Sequence, residues 1–305
     1  MRRASHRGRW FSLALVALLG ALGFFGIRRS KLVLPPPSLR VPPPPPRATV
    51  RVCWLETSRF LDLTASALLV QHPQGAFLVD AGANRDLRAM LKTVAWWRRP
   101  YALLALAPSL PLPDALRKVG VAPADLRGVL ISHQHPDHLG GALDLPPTVP
   151  IWTLKEELAW ATKMQLGPEG LPALSEALAR RGQPLTLQPV PYELFAHQAD
   201  LFGDGSVVIV PLPGHSPGSL GVFLQLPNGQ RLFYVGDAVN ASVEVTQGLS
   251  KRGFFRLSDW NGVETARSVA KLKQLQDEVP ELALLPAHDR SAFERVFGGN
   301  PRCLP

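Results

Sequence analysis

A chain of 305 residues has room for one large domain or two small ones. Its formal charge of +9 and pI near 10.1 invite a polyanionic partner. The excess is local, however: residues 1–47 hold nine of the 33 Lys and Arg (Arg2, Arg3, Arg7, Arg9, Arg28, Arg29, Lys31, Arg40, Arg47) and no acid, leaving 24 basic against 24 acidic residues from Ala48 onward. The main body is formally neutral, so nucleic acid is not an expected partner.

Trp10 to Ile27 is an uncharged apolar run with arginines on both flanks, just long enough to cross a bilayer as a helix. A cleaved signal peptide is the competing reading, but no clear small-x-small site precedes a mature start and Arg28-Arg29-Ser30-Lys31 follows directly. Residues 1–31 are therefore read as a membrane anchor, a single transmembrane or signal-anchor helix, with the following domain on the periplasmic or other extracytoplasmic side. The proline-rich residues 32–47 predict a polyproline II spacer that holds the domain off the membrane. Residues 48–305 form the folded domain. Cys53 and Cys303 lie near its opposite ends; they can pair in an oxidising compartment, but two isolated cysteines define no framework and neither sits in a metal-type motif.

Thr49 to Glu56 alternates like a strand. Ala67–Val70 and Ala76–Val79 flank the turn sequence His72-Pro73-Gln74-Gly75 and read as a hairpin. Asp80-Ala81-Gly82 stands at the end of its second strand, where Asp80 suits a supporting carboxylate better than a ligand because it has no ligand neighbours. Residues 85–99 carry a helical pattern, and Tyr101 to Leu112 is unusually apolar for a connection. That stretch is either ordinary core or, with Trp96 and Trp97, an apolar flap beside the metal site that forms a wall for a greasy substrate or touches the nearby membrane. A short helix from Leu116 leads into the apolar run Gly128–Ile131, which reads as a buried strand.

The strand delivers Ser132-His133-Gln134-His135-Pro136-Asp137-His138-Leu139-Gly140-Gly141. Four potential metal ligands fall within six residues, and ligands packed this tightly cannot all face one tetrahedral ion, so a two-metal site is the natural reading. Leu154–Met164 and Leu171–Arg181 look helical, and strands resume at Leu185–Gln188 and Ser206–Val210. The second of these runs into Pro213-Gly214-His215, a turn that aims the His215 ring off the sheet. Leu220–Leu226 and Arg231–Val235 pair across Pro227-Asn228-Gly229-Gln230, where Asn-Gly is a strong hairpin signal, and deliver Asp237. Glu264–Glu278 is an amphipathic helix, and Leu282–Pro286 a strand ending at Ala287-His288-Asp289. A polar ligand thus follows a strand four times, at His133, His215, Asp237 and His288. His6, His72 and His197 fall in polar or turn contexts and read as exposed. Strands mixed with helices in both halves argue for two sheets with helices outside.

His133-x-His135-x-Asp137-His138, then Gly214-His215, Gly236-Asp237 and Ala287-His288, together resemble the ligand set of the metallo-β-lactamase-fold hydrolases, from about Val50 onward. The resemblance implies an α/β fold, an αββα sandwich of two mixed β-sheets flanked by helices, with two divalent metal ions, zinc foremost, between the sheets. It assigns His133, His135 and His215 to one metal, Asp137, His138 and His288 to the other, and Asp237 to a bridge. Such a pair of cations makes a hydroxide nucleophile near neutral pH and stabilises the oxyanion of the attacked group. Asp137 is the implied catalytic residue, carrying a proton to the leaving alkoxide.

Among subfamilies, β-lactamases of this fold lack the bridging aspartate, and flavodiiron oxygen reductases carry glutamate where His135 stands. Glyoxalase II adds a helical C-terminal domain, and only Asp289–Pro305 follow the last ligand. Asp259-Trp260-Asn261, the helix after it and the His288-Asp289 ending resemble the N-acyl homoserine lactonases. Those enzymes carry a tyrosine shortly after the bridging aspartate, whereas Ala238-Val239-Asn240 stands here, with Asn240 as a replacement donor. The expected activity is opening of a small-molecule lactone or related ester with an apolar acyl chain. The alternatives are a thioester hydrolase or phosphodiesterase of the same fold, and a non-catalytic metal-binding envelope protein.

Overall fold

Strand β1 (Arg51–Phe60) turns back on β2 (Leu63–His72), and β2 on β3 (Gly75–Val79), as successive antiparallel pairs. The structure is a computed structural model, and it describes residues 29–60, 63–86, 110–163 and 172–304. Helix α1 (Leu112–Lys118) precedes the two-residue strand β4 (Val129–Leu130), which pairs parallel with β3. The short helix α2 (Pro136–Leu139) follows, then β5 (Ile151–Leu154), α3 (Lys155–Lys163), α4 (Pro172–Arg181) and β6 (Gly182–Leu185), with β4, β5 and β6 mutually parallel. The C-terminal strand β12 (Arg302–Leu304) closes the other edge against β1, giving a seven-stranded mixed sheet in the order β12-β1-β2-β3-β4-β5-β6.

The second sheet has five strands. Its members are β7 (Ala199–Asp200), β8 (Val207–Pro211), β9 (Leu220–Gln225), β10 (Arg231–Gly236) and β11 (Ala283–Pro286), in the order β11-β10-β9-β8-β7. Only β10 and β11 run parallel, so this sheet is mixed too. Helix α5 (Ser242–Gln247) follows β10, α6 (Gly262–Glu278) precedes β11, and α7 (Arg290–Phe297) follows it.

The alternation of side chains along each strand explains the layering. On β2, Leu68 and Val70 point between the sheets, where they meet Val222, Leu224 and Tyr234 of the second sheet. Their neighbours Ala67 and Leu69 point outward onto Leu112, Leu116, Leu174 and Leu178 of the helices. On β10, Phe233 and Val235 face outward onto Val269, Leu272 and Leu275 of α6. Both faces of the central strands are therefore buried, which is why they read as continuous apolar runs. The result is the expected four-layer α, β, β, α arrangement.

Several local expectations are corrected. The strand expected at Leu185–Gln188 lies instead at Gly182–Leu185, because pairing to β5 begins directly after α4, at Ile151 opposite Gly182. Gln188 makes only an isolated bridge to Gln198. His72 is buried rather than exposed: its ring stacks on Phe202 at 3.8 Å and its Nε2 lies 2.9 Å from Asp204 Oδ2. His197 is exposed as expected. The proline-rich segment does not stand clear of the domain as a spacer. Leu32 N donates to the Gly248 carbonyl, Ser38 N to Gln274 Oε1, Val41 pairs with Glu193, and Arg47 N donates to the Asp204 carbonyl. Leu32 and Leu34 pack against the α6 core, so apolar contact and backbone pairing outweigh the free rod.

The apolar run Trp10–Ile27, the helix expected within 85–99 and most of the wall from Trp96 to Leu112 lie outside the described residues. Leu112 itself is core. Among the described residues no helix is long and apolar enough to cross a membrane.

Cys53 and Cys303 face each other in register across β1 and β12 and form a disulfide between residues 250 apart in sequence. Closing so long a loop restricts the unfolded chain, and Cys303→Ser is expected to cost about 2–4 kcal/mol. Urea unfolding of the variant beside the oxidised parent measures this; equal midpoints would assign the bridge no stabilising role.

Candidate metal centre

The site lies where strand ends from both sheets meet. Past β4, Ser132 and His133 continue the chain into the gap between the sheets, and His135 caps α2 with Pro136 in its first turn, so that His138 is carried inward and buried. A proline at that position costs nothing, because its missing N–H has no helical partner anyway. Past β8 comes Gly214 with φ 139, a conformation open to glycine and one in which its backbone lies against Thr265; a Cβ there would sit 2.4 Å from Thr265 N. His215 follows that turn, Asp237 follows β10, and His288 follows β11.

All seven residues singled out in the sequence are brought together. His133, His135 and His215 form one group able to hold a cation, Asp137, His138 and His288 another, and His133, His138 and Asp237 a third, the ligand atoms of each lying within 4.8 Å of one another. The first three rings stand edge-on to each other with all three centroid separations at 4.6 Å. His215 Nε2 is 2.9 Å from His135 Nδ1. Asp237 reaches both of the first two groups: Oδ2 lies 3.5 Å from His215 Nε2 and 3.1 Å from His288 Nε2, and Oδ1 lies 3.2 Å from His138 Nε2. Asp137 Oδ2 is 3.4 Å from His288 Nε2 and keeps the most solvent access among the carboxylates of the site.

The donor set fits a pair of divalent cations. His133 Nε2 is buried with no hydrogen-bond partner, and His138 Nε2 and Asp237 Oδ1, buried 3.2 Å apart, are paired by charge but are not aligned for a hydrogen bond, although such atoms are costly to leave unsatisfied. Their other ring nitrogens are occupied. His138 Nδ1 donates to Asp80 Oδ2 at 2.7 Å, and His288 Nδ1 to the Thr64 carbonyl at 2.7 Å. His215 Nδ1 lies 3.0 Å from Asp259 Oδ1 and 2.9 Å from Lys251 Nζ, and His133 Nδ1 lies 3.1 Å from the Ser132 hydroxyl. These contacts hold each ring by its Nδ1 side, so that in the neutral ring Nε2 is the nitrogen turned toward a metal.

Three supporting groups complete the site. Asp80 is wholly buried, as the sequence suggests for a supporting carboxylate, and accepts from Ser132 N, Ser132 Oγ, His138 Nδ1 and Tyr234 Oη at 2.6–2.7 Å. Glu157, near the start of α3, clamps two ligand loops: it accepts from Gln134 N, from Ser216 Oγ at 2.6 Å and from Gly218 N. Lys251, fully buried, donates to Asp259 Oδ1 at 2.5 Å and so holds the carboxylate that orients His215. Neither Glu157 nor Lys251 carries a sequence signal, since each acts through residues far away in the chain.

The charges are balanced internally when no cation is present. Burial opposes charging His288, but Asp237, with Asp137 behind it, raises it to about 9; His138 is raised well above the imidazole range for the same reason, with Asp80 adding to the pull. Burial would raise Asp237, yet His288 and His138 hold it well below the usual carboxylate range. Burial lowers His215 to about 4, reinforced by the Lys251 ammonium, and burial also pushes His133 down. Cation binding must therefore displace protons from His138 and His288.

Stability of the metal-free chain follows from these directions. The raised His288 contributes fully below the ordinary imidazole value of 6.5, and its contribution is lost as pH rises through about 9. The lowered His215 contributes above 6.5, and its contribution is lost as pH falls through about 4. Urea midpoints of chelator-treated protein are expected to peak near pH 6.5 and fall on both sides; a flat profile would contradict the charge balance.

Comparison with known proteins agrees with the geometry. Residues 61–288 match the model of the metallo-beta-lactamase superfamily. An N-acyl homoserine lactonase, AttM, of Rhizobium radiobacter is 26% identical over 181 residues, 59% of this chain and 64% of that protein. The chain thus spans slightly under two thirds of that relative. The AttM of Azorhizobium caulinodans is 27% identical over 74% of this chain and 81% of its own length. Among solved structures, an N-acyl homoserine lactone hydrolase with N-hexanoyl-L-homoserine at its catalytic metal center superposes with a TM-score of 0.61, at 18% identity, over 84% of this chain and 99% of its own. AidC, a dizinc quorum-quenching lactonase, gives 0.52 at 20% identity over 74% and 72%. These two structures speak for the fold alone. On the match over residues 61–288, this chain belongs to the metallo-beta-lactamase superfamily.

Proposed function

We propose that the protein is a dinuclear zinc hydrolase that opens a lactone or related ester. The observation that carries this reading is Asp237 standing within reach of both ligand groups. In this reading His133, His135 and His215 would hold one cation and Asp137, His138 and His288 the other, with Asp237 within reach of both groups. When bound, the two cations supply a hydroxide nucleophile near neutral pH and Lewis acidity toward the attacked carbonyl. Asp237, Asp80 and Asp259 keep the imidazoles oriented throughout. Asp137 takes up the proton of the attacking O–H and passes it to the alkoxide as the acyl carbon–oxygen bond breaks, so the product is a hydroxy acid.

Asn240 is the proposed donor to the substrate carbonyl, in the place where lactonases carry tyrosine. Its side-chain nitrogen and oxygen are buried with no hydrogen-bond partner, three residues beyond Asp237. Asn240→Ala is expected to lower kcat/KM about tenfold, the worth of one hydrogen bond. Unchanged kcat/KM would remove Asn240 from the reaction.

We also propose that Trp10–Ile27 anchors the chain in a membrane with the domain outside the cytoplasm. The Cys53–Cys303 disulfide supports an oxidising compartment. The functional test is acid release by the zinc-loaded full chain from short- and long-chain acyl homoserine lactones, beside a thioester and a phosphodiester. Zinc-dependent opening of the lactones is the expected result. Hydrolysis confined to the thioester or phosphodiester would move the substrate class, and silence on all of them would leave a non-catalytic metal protein.

A further inference from the structure

Residues 252–263 form one wall of the metal centre. Trp260 N donates to the His215 carbonyl at 3.0 Å and Asn261 N to the Gly214 carbonyl, while the Asp259 carboxylate holds His215 Nδ1. The Phe255 ring lies 6.4 Å from that of His288, so the same segment reaches the other ligand group. Three of its large apolar side chains are exposed. Leu257 is 68% exposed, Trp260 50% and Val263 63%, three of the seven large hydrophobic residues exposed among the described ones. Arg252 and Arg256 stand exposed among them.

The chain reaches the domain at this same place. Ser30 exchanges backbone and side-chain hydrogen bonds with Ser250, and Arg256 Nη1 donates to Ser30 Oγ at 3.0 Å. Arg29 pairs with Glu244 at 3.1 Å, and Lys31 Nζ donates to the Gln247 carbonyl. Ile27, the last residue of the uncharged apolar run, is three residues from Ser30, and three trans peptide steps span at most about 11 Å. From Ser30 the proline-rich segment leads away across α6 toward β1.

We propose that Leu257, Trp260 and Val263, with Arg252 and Arg256, form a surface that docks on an anionic bilayer, so that the metal centre opens against the membrane. The inference takes the anchoring of residues 10–27 as its premise. The proline-rich segment then straps the domain down beside the end of the anchor. Tryptophan and arginine suit the interfacial layer, the indole at headgroup depth and the guanidinium on lipid phosphates. The substrate class that fits is an ester with an apolar tail, partitioned in the bilayer and presented from that side. A lipid occupant is favoured over a protein because Arg256 of this patch contacts Ser30, at most about 11 Å of chain from the end of an uncharged apolar run, so that the patch meets bilayer before anything else.

The full chain carrying Leu257→Cys, labelled with an environment-sensitive fluorophore and reconstituted into phosphatidylcholine–phosphatidylglycerol vesicles, tests this. Cys53 and Cys303 are bonded to each other, so the introduced thiol takes the label. Asn228→Cys, in the turn at the end of β10 remote from Asp237, is the comparison. Expected is a blue shift at 257, with quenching by nitroxide lipids and protection from iodide, and none of these at 228. Protein that floats with the vesicles while its label at 257 remains in water would overturn the docking face and leave the anchor. Protein that does not associate with the vesicles would overturn both. A label at 257 protected from iodide yet untouched by nitroxide lipids would mean a protein cover and would also overturn the proposal. Lactone opening in solution is independent of all these readouts.

Discussion

Asp137→Asn is expected to lower kcat by roughly 10²–10⁴-fold, the range for loss of a positioned proton donor, with zinc content and unfolding midpoint close to those of the parent. The carboxylate stands 3.4 Å from His288 Nε2 and 3.9 Å from His138 Nε2, with part of its surface open to solvent. It is therefore the acid of the site best placed to meet a departing alkoxide. Asparagine keeps the shape and one ligating oxygen but cannot carry the proton. Rate, metal content and stability measured on one preparation separate the proton role from the ligand role. Loss of zinc in parallel with rate would make Asp137 chiefly a ligand, and unchanged turnover would sink the proposed mechanism.

The contrast between Asp137 and its supports shows what a sequence exposes and what it hides. His133, His135, Asp137 and His138 are legible because their spacing is local and they follow an apolar run. His215, Asp237 and His288 are legible because each follows its own strand. Glu157 is not, since its three partners at Gln134, Ser216 and Gly218 come together only when α3 packs beside both loops. Lys251 reads as one more basic residue until burial brings it onto Asp259. The pairing of Cys53 with Cys303 depends on the register of β1 and β12, a contact spanning the whole domain. The proline-rich strap has the composition of a free rod, and only Gln274, Glu193 and Gly248, far along the chain, decide that it lies down. Local chemistry was readable, then, and long-range complementarity was not.

Asp80→Ala is the change expected to cost most in stability, about 3–5 kcal/mol, because it removes one partner of a buried, charged network. Four donors converge on this carboxylate: Ser132 N, Ser132 Oγ, His138 Nδ1 and Tyr234 Oη, all buried. Alanine removes the acceptor that all four share. The backbone adds to the loss, since Asp80 has φ 55, a left-handed conformation that alanine adopts poorly and asparagine tolerates. Asp80→Asn keeps an acceptor oxygen and the backbone preference, so its loss of stability is expected to be clearly smaller. Both variants release His138 from its fixed orientation, and a fall in metal affinity of about 10–100-fold is expected where a ligand's supporting carboxylate is removed. Urea unfolding read with zinc titration distinguishes the two effects. Equal stabilities for Ala and Asn would assign the loss to His138 alone, whereas a large gap between them with similar zinc affinity would place it in the buried donors and the strained backbone of residue 80.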